Sequence, residues 1–416
     1  MARITQQSIL PTTTVGGEII RELVNSTDGQ GLHFDGAAGT YVDCGDTTIL
    51  DGATRMSIEV IAATTATANG MVVGKTYGAD CFYLRFEADG KIRSIINNGS
   101  SNGNAVSANS YNDGNPKHIV VAWDAATVSI YVNGNLDGTA TLAGGSIPNT
   151  ADRLGIGANL NSAGASTNNF DGIIYRARLW NKTLSSAEVT ATYENATVPF
   201  ADQYGSQTAL VTGDNSDFDT VGNWVLYNSS TFGLVGDWAG GAGTGYGKIT
   251  LASAAGTGAY ITSTLTTKGK RYRASVKAKL LSGSAVELIM GDIGTGRTGN
   301  FTLTPTGTET VFTGEFVATT NNIFIGVIAG GTAASGQVIL IDDVTLVEIG
   351  CVADYDLAFS QPEISTIVQN RSGSGDGTSS ATGVTQVTPI EQLNSKKLNV
   401  GGTTPLVGIG LAAGVT

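Results

Sequence analysis

The sequence predicts an all-β protein built as two β-sandwich domains, with an extended N-terminal arm before them and a Gly/Ser/Thr-rich tail after them. Three observations carry that expectation. Of 416 residues 57 are Gly, only 8 are Pro and 14% are charged, a mixture that suits short strands joined by turns better than long charged helices. Short runs of alternating apolar residues recur between turn signals along most of the chain. The length exceeds one ordinary domain. Hydrophobic residues at 41%, with a mean hydropathy of +0.07, supply material for cores and exclude a globally disordered chain.

The arm covers residues 1–30. "PTTTVGG" is extended and polar, while "EIIRELV" sets Ile19, Ile20, Leu23 and Val24 at helical spacing. One apolar stripe on one short helix cannot fold alone, so it docks either on its own sandwich or on a partner subunit. The first sandwich is expected over 31–198. Its strand candidates include "TYVDCG", "MSIEVIAAT", "MVVGKT", "FYLRFEA", "KIRSIIN", "KHIVVAWDA", "VSIYVNG" and "IIYRARLWN". "KHIVVAWDA" is apolar on both faces, as a central strand requires. In "VSIYVNGNLDGTA", Val128, Ile130 and Val132 alternate with Ser129 and Tyr131, and Asn133-Gly134 tolerates positive φ, so a hairpin turn is expected there. One helix closes the block, because Ser185 and Glu188 in "LSSAEVTATYEN" have capping-box spacing.

A second sandwich is expected over 199–350, after the linker "VPFADQYGSQ" and with strands from "NWVLY" to "VILIDDVTLVEIG". Residues 351–416 read as an extended C-terminal assembly segment. "VQNRSGSGDGTSSATGVTQVTP" is dense in Gly, Ser and Thr, and the closing "LNVGGTTPLVGIG" offers only short apolar pieces.

Charge and cysteine content narrow the function classes. A net charge of −12 repels nucleic acid, and no Lys/Arg cluster is interleaved with aromatics. Cys44, Cys81 and Cys351 lie far apart without CxxC spacing, which excludes a disulfide framework and argues against zinc. "MARITQQSILPTTTVGGE" has no apolar signal region, and no stretch reaches transmembrane length. Synthesis in a cytoplasm without membrane insertion is the expectation.

Catalysis would have to draw on His33 or His118, the only histidines, and both fall in strand-like text. There is no GxSxG elbow, HExxH or P-loop. No E-x-D-x-E run offers paired carboxylates for glycoside chemistry. Glu59 stands alone in its strand, and Asp342-Asp343 point to opposite faces if their strand is regular. No enzymatic activity is expected. Sugar recognition needs a flat aromatic with polar neighbours. Trp224, Trp238, Tyr246 and Tyr260 are the candidates, and Trp238, between "GLVGD" and "AGGAG", is the best placed. Trp123 and Trp180, inside apolar strands, are assigned to the core.

"LHFDGAAGTYVDCG", "MSIEVIAAT", "IVVAWDAATVSIYVNGNLDGTA" and "NNFDGIIYRARLWNKTLSSAEV" occur in the order seen in laminin-G-like, concanavalin A-like domains, which the first block resembles. That implies a two-sheet jelly roll. The second block resembles the jelly rolls of carbohydrate-binding modules and galactose-binding-like domains, through its D-F…W start, G-K-x-Y-R strand and closing I-D-D-V-T-L strand. The likeness implies a structural calcium between first and last strands, held by Asp214 or Asp217 with Asp342 or Asp343. The same residues also read as turn positions and an exposed acidic edge.

The order of the parts, followed by "GCVADY…NRSGSGDGT", resembles virion surface proteins of tailed bacteriophages, although Gly375-Asp376-Gly377 lacks the His of that family's N-x-H-G turn. The resemblance implies a structural virion protein, as a tail fibre, head fibre or capsid decoration on the particle surface. Its partners would be other virion proteins, further copies of itself, with a homotrimer favoured, and a host surface glycan. The alternatives are a bacterial surface or secreted carbohydrate-binding protein and a polysaccharide-degrading enzyme.

Overall fold

The eight residues Met56–Ala63 are all buried and form a strand in the middle of the first sandwich. Lys117–Trp123, buried throughout, pairs along one edge of it, and Asp171–Trp180 pairs along the other. Strands covered on both faces need such unbroken apolar text. Outer strands alternate instead: Lys91–Asn97 and Thr127–Val132 show buried and half-buried residues in strict succession.

The structure, a computed structural model, describes residues 31–387 apart from 77–80, 195–202, 207, 228–230, 253–256, 263, 284–286, 293–300, 328–335, 358–366, 369–376 and 380–384. The docking arm expected at 1–30 and the "LNVGGTTPLVGIG" segment lie outside the described residues. Four large sheets make up two sandwiches, with little helix.

Sheet I of the first sandwich runs Asn135–Thr141, Thr127–Val132, Lys117–Trp123, Met56–Ala63, Asp171–Trp180, Gly31–Asp35 and Thr385–Val387. Sheet II runs from Ile367–Val368 across Val42–Asp43, Leu154–Ile156 and Gly70–Lys75 to Asn102–Ser110. Their facing sides enclose Phe34, Phe82, Phe86 and Trp123. On the outer side of sheet I the helix Ser186–Tyr193 packs its Val189 with Trp180 and Leu184, so both expected core tryptophans are buried. The capping box forms as its spacing predicts, with Ser185 accepting from the Glu188 N–H. Asn133 and Gly134 turn the hairpin at φ 50° and 81°, and Gly134 packs against the Tyr193 ring, where a Cβ would approach to 3.3 Å. That turn is therefore committed to helix docking.

The segment expected as an assembly tail starts inside the first sandwich. Cys351–Asp356 pairs with the second half of Asp171–Trp180, while Gly31–Asp35 pairs with its first half. Val352, Ala353, Tyr355 and Leu357 belong to the first core. Further on, Gly377–Ser379 pairs with Val42–Asp43 and Thr385–Val387 with Gly31–Asp35. The physical reason is that this short apolar run needs no core of its own. It completes one supplied by residues far upstream. The second sandwich thus stands as an insertion between Tyr193 and Cys351.

In that second sandwich, sheet III is ordered Trp224–Tyr227, Gly258–Ile261, Ile323–Val327, Leu288–Asp292 and Phe301–Leu303. Sheet IV is ordered Thr231–Val235, Tyr246–Thr250, Val338–Glu348, Arg271–Ser282 and Thr310–Val317. Ile249, Ile261, Tyr272, Val276, Phe316 and Ile341 are among the residues of its core. Asn181 joins the two units. Its Nδ2 donates to the carbonyls of Ser206 (3.1 Å) and Glu348 (3.2 Å), and its Oδ1 accepts from the Gly350 N–H (2.8 Å).

Tyr355 is 1% exposed within the first core. Tyr355→Ala is expected to destabilise the first sandwich by about 3–5 kcal/mol, the cost of truncating a large buried aromatic. Chemical denaturation measures it, and an unchanged midpoint would mean that this segment does not pack there in solution.

Candidate functional site

The four candidate aromatics have three different fates. Trp224 is 3% exposed, stacks on Phe232 at 5.8 Å and 14°, and touches Phe218 at 5.8 Å. Its Nε1 donates to the Asn215 carbonyl at 3.0 Å. Ring and edge are both taken, so Trp224 is a core residue and offers no platform. Tyr260 lies between the buried Ala259 and Ile261, which turns it to the outer side of sheet III. Tyr246 precedes the buried Gly247 and Ile249, and faces outward from sheet IV, on the opposite side of the sandwich.

Trp238 and Tyr246 come together. Their ring centroids are 4.7 Å apart at 52°, and both are half-buried. The Gly-rich loop after Thr231–Val235 holds Trp238 there. Asp237 Oδ1 accepts the N–H groups of Ala239 and Gly241, both at 2.8 Å, and Gly236 N–H donates to the Gly241 carbonyl. The Gly241 and Ala239 N–H groups hold the Asp237 carboxyl below the usual carboxylate range. Lys277 Nζ stands 5.2 Å from the Trp238 ring centroid. Sequence reasoning missed Lys277, yet the alternation of "RYRASVKAKL" marks it. Tyr272, Ala274, Val276 and Ala278 face the core, so Arg273, Ser275 and Lys277 share the outer face with Tyr246.

The acidic candidates fare differently from one another. Asp214 Oδ2 accepts from the Thr220 hydroxyl at 2.7 Å. Val338–Glu348 is not a regular strand. Its register against Arg271–Ser282 shifts between Asp342 and Thr345, where Asp343 sits at φ 50°. Ile341 and Val344 stay in the core, so the bulge puts both aspartates outside it, in place of the opposite faces expected of a regular strand. Burial raises the Asp342 carboxyl, as do the nearby Asp343 and Asp217 charges, while Lys277 opposes them. Among the described residues no group of three or more His, Cys, Asp or Glu side chains converges.

Glu59, which the sequence shows alone, sits in a dense network under the helix Ser186–Tyr193. His118 Nε2 lies 3.2 Å from its Oε1, Trp180 Nε1 donates to its Oε2 at 3.1 Å, and Arg178 stands 3.6 Å away. Arg178 Nε in turn donates to Asp354 Oδ1 at 3.0 Å. Burial would raise the Glu59 carboxyl, but Arg178 and the His118 hydrogen bond outweigh it and bring it to about 2. Glu59 and His118 are 2% and 3% exposed. Both side chains are closed off from solvent and their partners come from the protein itself, so this His–Glu pair is structural. No catalytic constellation assembles among the described residues. Among them, too, no helix is long and apolar enough to cross a membrane.

One family model matches part of the first sandwich. Residues 35–190 match the family model for the concanavalin A-like lectin/glucanases superfamily. The match covers the strands from the "FDG" start to the capped helix, and its boundaries fall inside the first sandwich. Solved structures of similar fold include a heptameric SAP-like pentraxin from Limulus polyphemus. It is 16% identical, spans 39% of this chain and 81% of its own, and has a TM-score of 0.32. A sialidase CBM40 from Ruminococcus gnavus bound to α2,6 sialyllactose is 19% identical over 40% of this chain and 98% of its own, with a TM-score of 0.33. The CBM22-1 xylan-binding domain of Paenibacillus barcinonensis Xyn10C is 15% identical over 36% and 99%, with a TM-score of 0.27. Likeness at these levels carries no functional argument. No curated protein matches the chain.

The Glu59 network has a pH signature. Its folded carboxyl titrates at about 2 against an ordinary 4.5, so the stabilisation is complete above 4.5 and is lost as pH falls through 2. Glu59→Gln should lose about 3–5 kcal/mol at neutral pH, as expected for breaking a buried ion pair. The deficit should shrink between pH 4.5 and 2. Urea denaturation across that range checks it, and a deficit independent of pH would show that the charge is not what matters.

Proposed function

We propose that the protein is a non-catalytic carbohydrate-binding protein, and that the outward face of sheet IV around Trp238 and Tyr246 makes the sugar contact. The observation that carries this reading is the aromatic pair itself. Two half-buried rings lie 4.7 Å apart where Trp238, on a loop that the Asp237 hydrogen bonds keep in shape, meets Tyr246 of the next strand, with the Lys277 ammonium beside the Trp238 ring. Sugar rings stack their C–H faces on such surfaces, and a neighbouring cation or hydroxyl takes their oxygens. The lectin-related family model matched by residues 35–190 agrees with a recognition protein. Tyr260, on the far side of the sandwich, is not part of this contact.

The finer reading is that the chain works on the surface of a tailed-phage particle, as a fibre or capsid decoration in several copies. Its support is the order of parts in the sequence, from the laminin-G-like block through the second jelly roll to "NRSGSGDGT". In that setting the sandwiches would present glycan contacts outward. Mass spectrometry of purified particles tests the setting: a constant copy number supports it, and absence leaves a bacterial surface or secreted carbohydrate-binding protein.

Trp238→Ala is expected to lower binding on a glycan array by about tenfold or more, equivalent to at least about 1.4 kcal/mol. Tyr260→Ala should leave binding unchanged, and neither variant should shift the melting temperature appreciably. Binding retained by Trp238→Ala would move the sugar contact off this loop.

A further inference from the structure

Where the two sandwiches meet, a cleft of about 310 Å³ opens between the loop at residues 51–54 and the outward face of sheet IV. Its floor carries Ser275, Thr313 and Thr345, and its far wall carries Asp51 and Thr54. This volume is at the small end of the range for small-molecule sites, which favour domain interfaces. We infer that the cleft binds a neutral, polyhydroxylated ligand, a mono- or disaccharide unit, between the two sandwiches. The inference rests on the carbohydrate reading above and gives it a second site, built from both domains.

Two features select that chemistry. First, the floor is hydroxylic. Ser275 Oγ and Thr345 Oγ1 lie 2.6 Å apart, sharing one hydrogen bond, and each hydroxyl both donates and accepts, as a sugar hydroxyl does. Second, the charges are already matched within the protein. Arg273 Nη2 lies 2.8 Å from Glu315 Oε1, and Arg55 reaches the same carboxylate at 3.8 Å from the first sandwich. Asp51 Oδ1 faces Lys75 Nζ at 3.3 Å. A charged ligand would meet no unpaired counter-charge.

The cleft also continues the aromatic site. Ser275 and Lys277 are two positions apart on one face of Arg271–Ser282, or about 7 Å along the strand. The ring of Trp238, next to Lys277, therefore stands one step from the hydroxylic floor. A longer glycan laid along sheet IV would meet the rings first and the cleft next.

Saturation-transfer NMR on the full chain tests this with maltose, lactose and cellobiose at millimolar concentration, and with sialyllactose as the charged comparison. The wild-type chain is expected to give saturation transfer to neutral sugars. Ser275→Ala combined with Thr313→Val, which removes hydroxyls and adds no bulk, should weaken it about tenfold. Ser275→Trp, which fills the cleft, should abolish it, and Tyr260→Ala, on the far side of the second sandwich, should leave it unchanged. Neutral-sugar binding that survives the cleft variants but disappears with Trp238→Ala overturns the cleft and keeps the aromatic site. Stronger transfer to sialyllactose than to lactose, lost in the cleft variants, overturns the neutral-ligand assignment. Absence of transfer to all four sugars overturns the cleft, and the glycan array then decides the aromatic site separately.

Discussion

The ion pair between Arg178 and Asp354 joins residues 176 positions apart, and the arrangement of the molecule depends on it. Arg178 lies on the strand at the centre of the first sandwich, and Asp354 lies on the chain returning from the second. Both charges are shielded from water, which is costly unless every partner is supplied. Here they are supplied. Glu59 shares the guanidinium, Trp180 and His118 serve Glu59, and the Tyr204 hydroxyl donates to Asp354 Oδ2 at 3.3 Å. Tyr204 belongs to the outgoing connection and Asp354 to the incoming one. One network therefore ties down both ends of the inserted sandwich, and Asn181 adds backbone bonds to each. A domain held by two adjacent connections has less freedom than one hung from a single linker. A site assembled between the sandwiches needs that restraint.

What was readable in the sequence was what local chemistry decides. Strict alternation located Thr127–Val132 and Lys91–Asn97, an unbroken apolar run located Lys117–Trp123, and the Ser185–Glu188 spacing located the helix start. Each signal lies within a few residues of the structure it specifies. The return of Cys351–Asp356 was not readable, because its partner strand is Asp171–Trp180 and no local pattern encodes the pairing. Val352, Ala353, Tyr355 and Leu357 look like too little apolar material only when they are counted as a separate unit.

The candidate site was half legible for the same reason. An aromatic in a Gly-rich loop marked Trp238, and alternation placed Tyr246 on an outer face. Trp224 carries the same residue chemistry, yet Phe218, with its left-handed backbone at φ 56°, and Phe232 close over it. Only tertiary packing separates a platform from a core ring. The bulge at Asp343 was likewise invisible, since an aspartate at positive φ has no sequence mark of its own. Asp51 and Ser275, from different sandwiches, could not be associated before the sandwiches were.

Electrostatics decides how such a face would recognise its ligand. The chain carries −12 overall, so its long-range field repels polyanions. The outward face of sheet IV nonetheless presents Arg273 and Lys277, each with a carboxylate near it: Glu315 at 2.8 Å and Glu309 at 3.8 Å. Paired charges of this kind neither steer a ligand from a distance nor add much affinity when exposed. In the proposed reading, recognition there would fall to contact chemistry, ring stacking at Trp238 and hydrogen bonding near Ser275. Such contacts are weak singly, because ordering a flexible sugar costs much of what they contribute. With the charges already paired, affinity at such a face would be set by how well ring and hydroxyl contacts fit together.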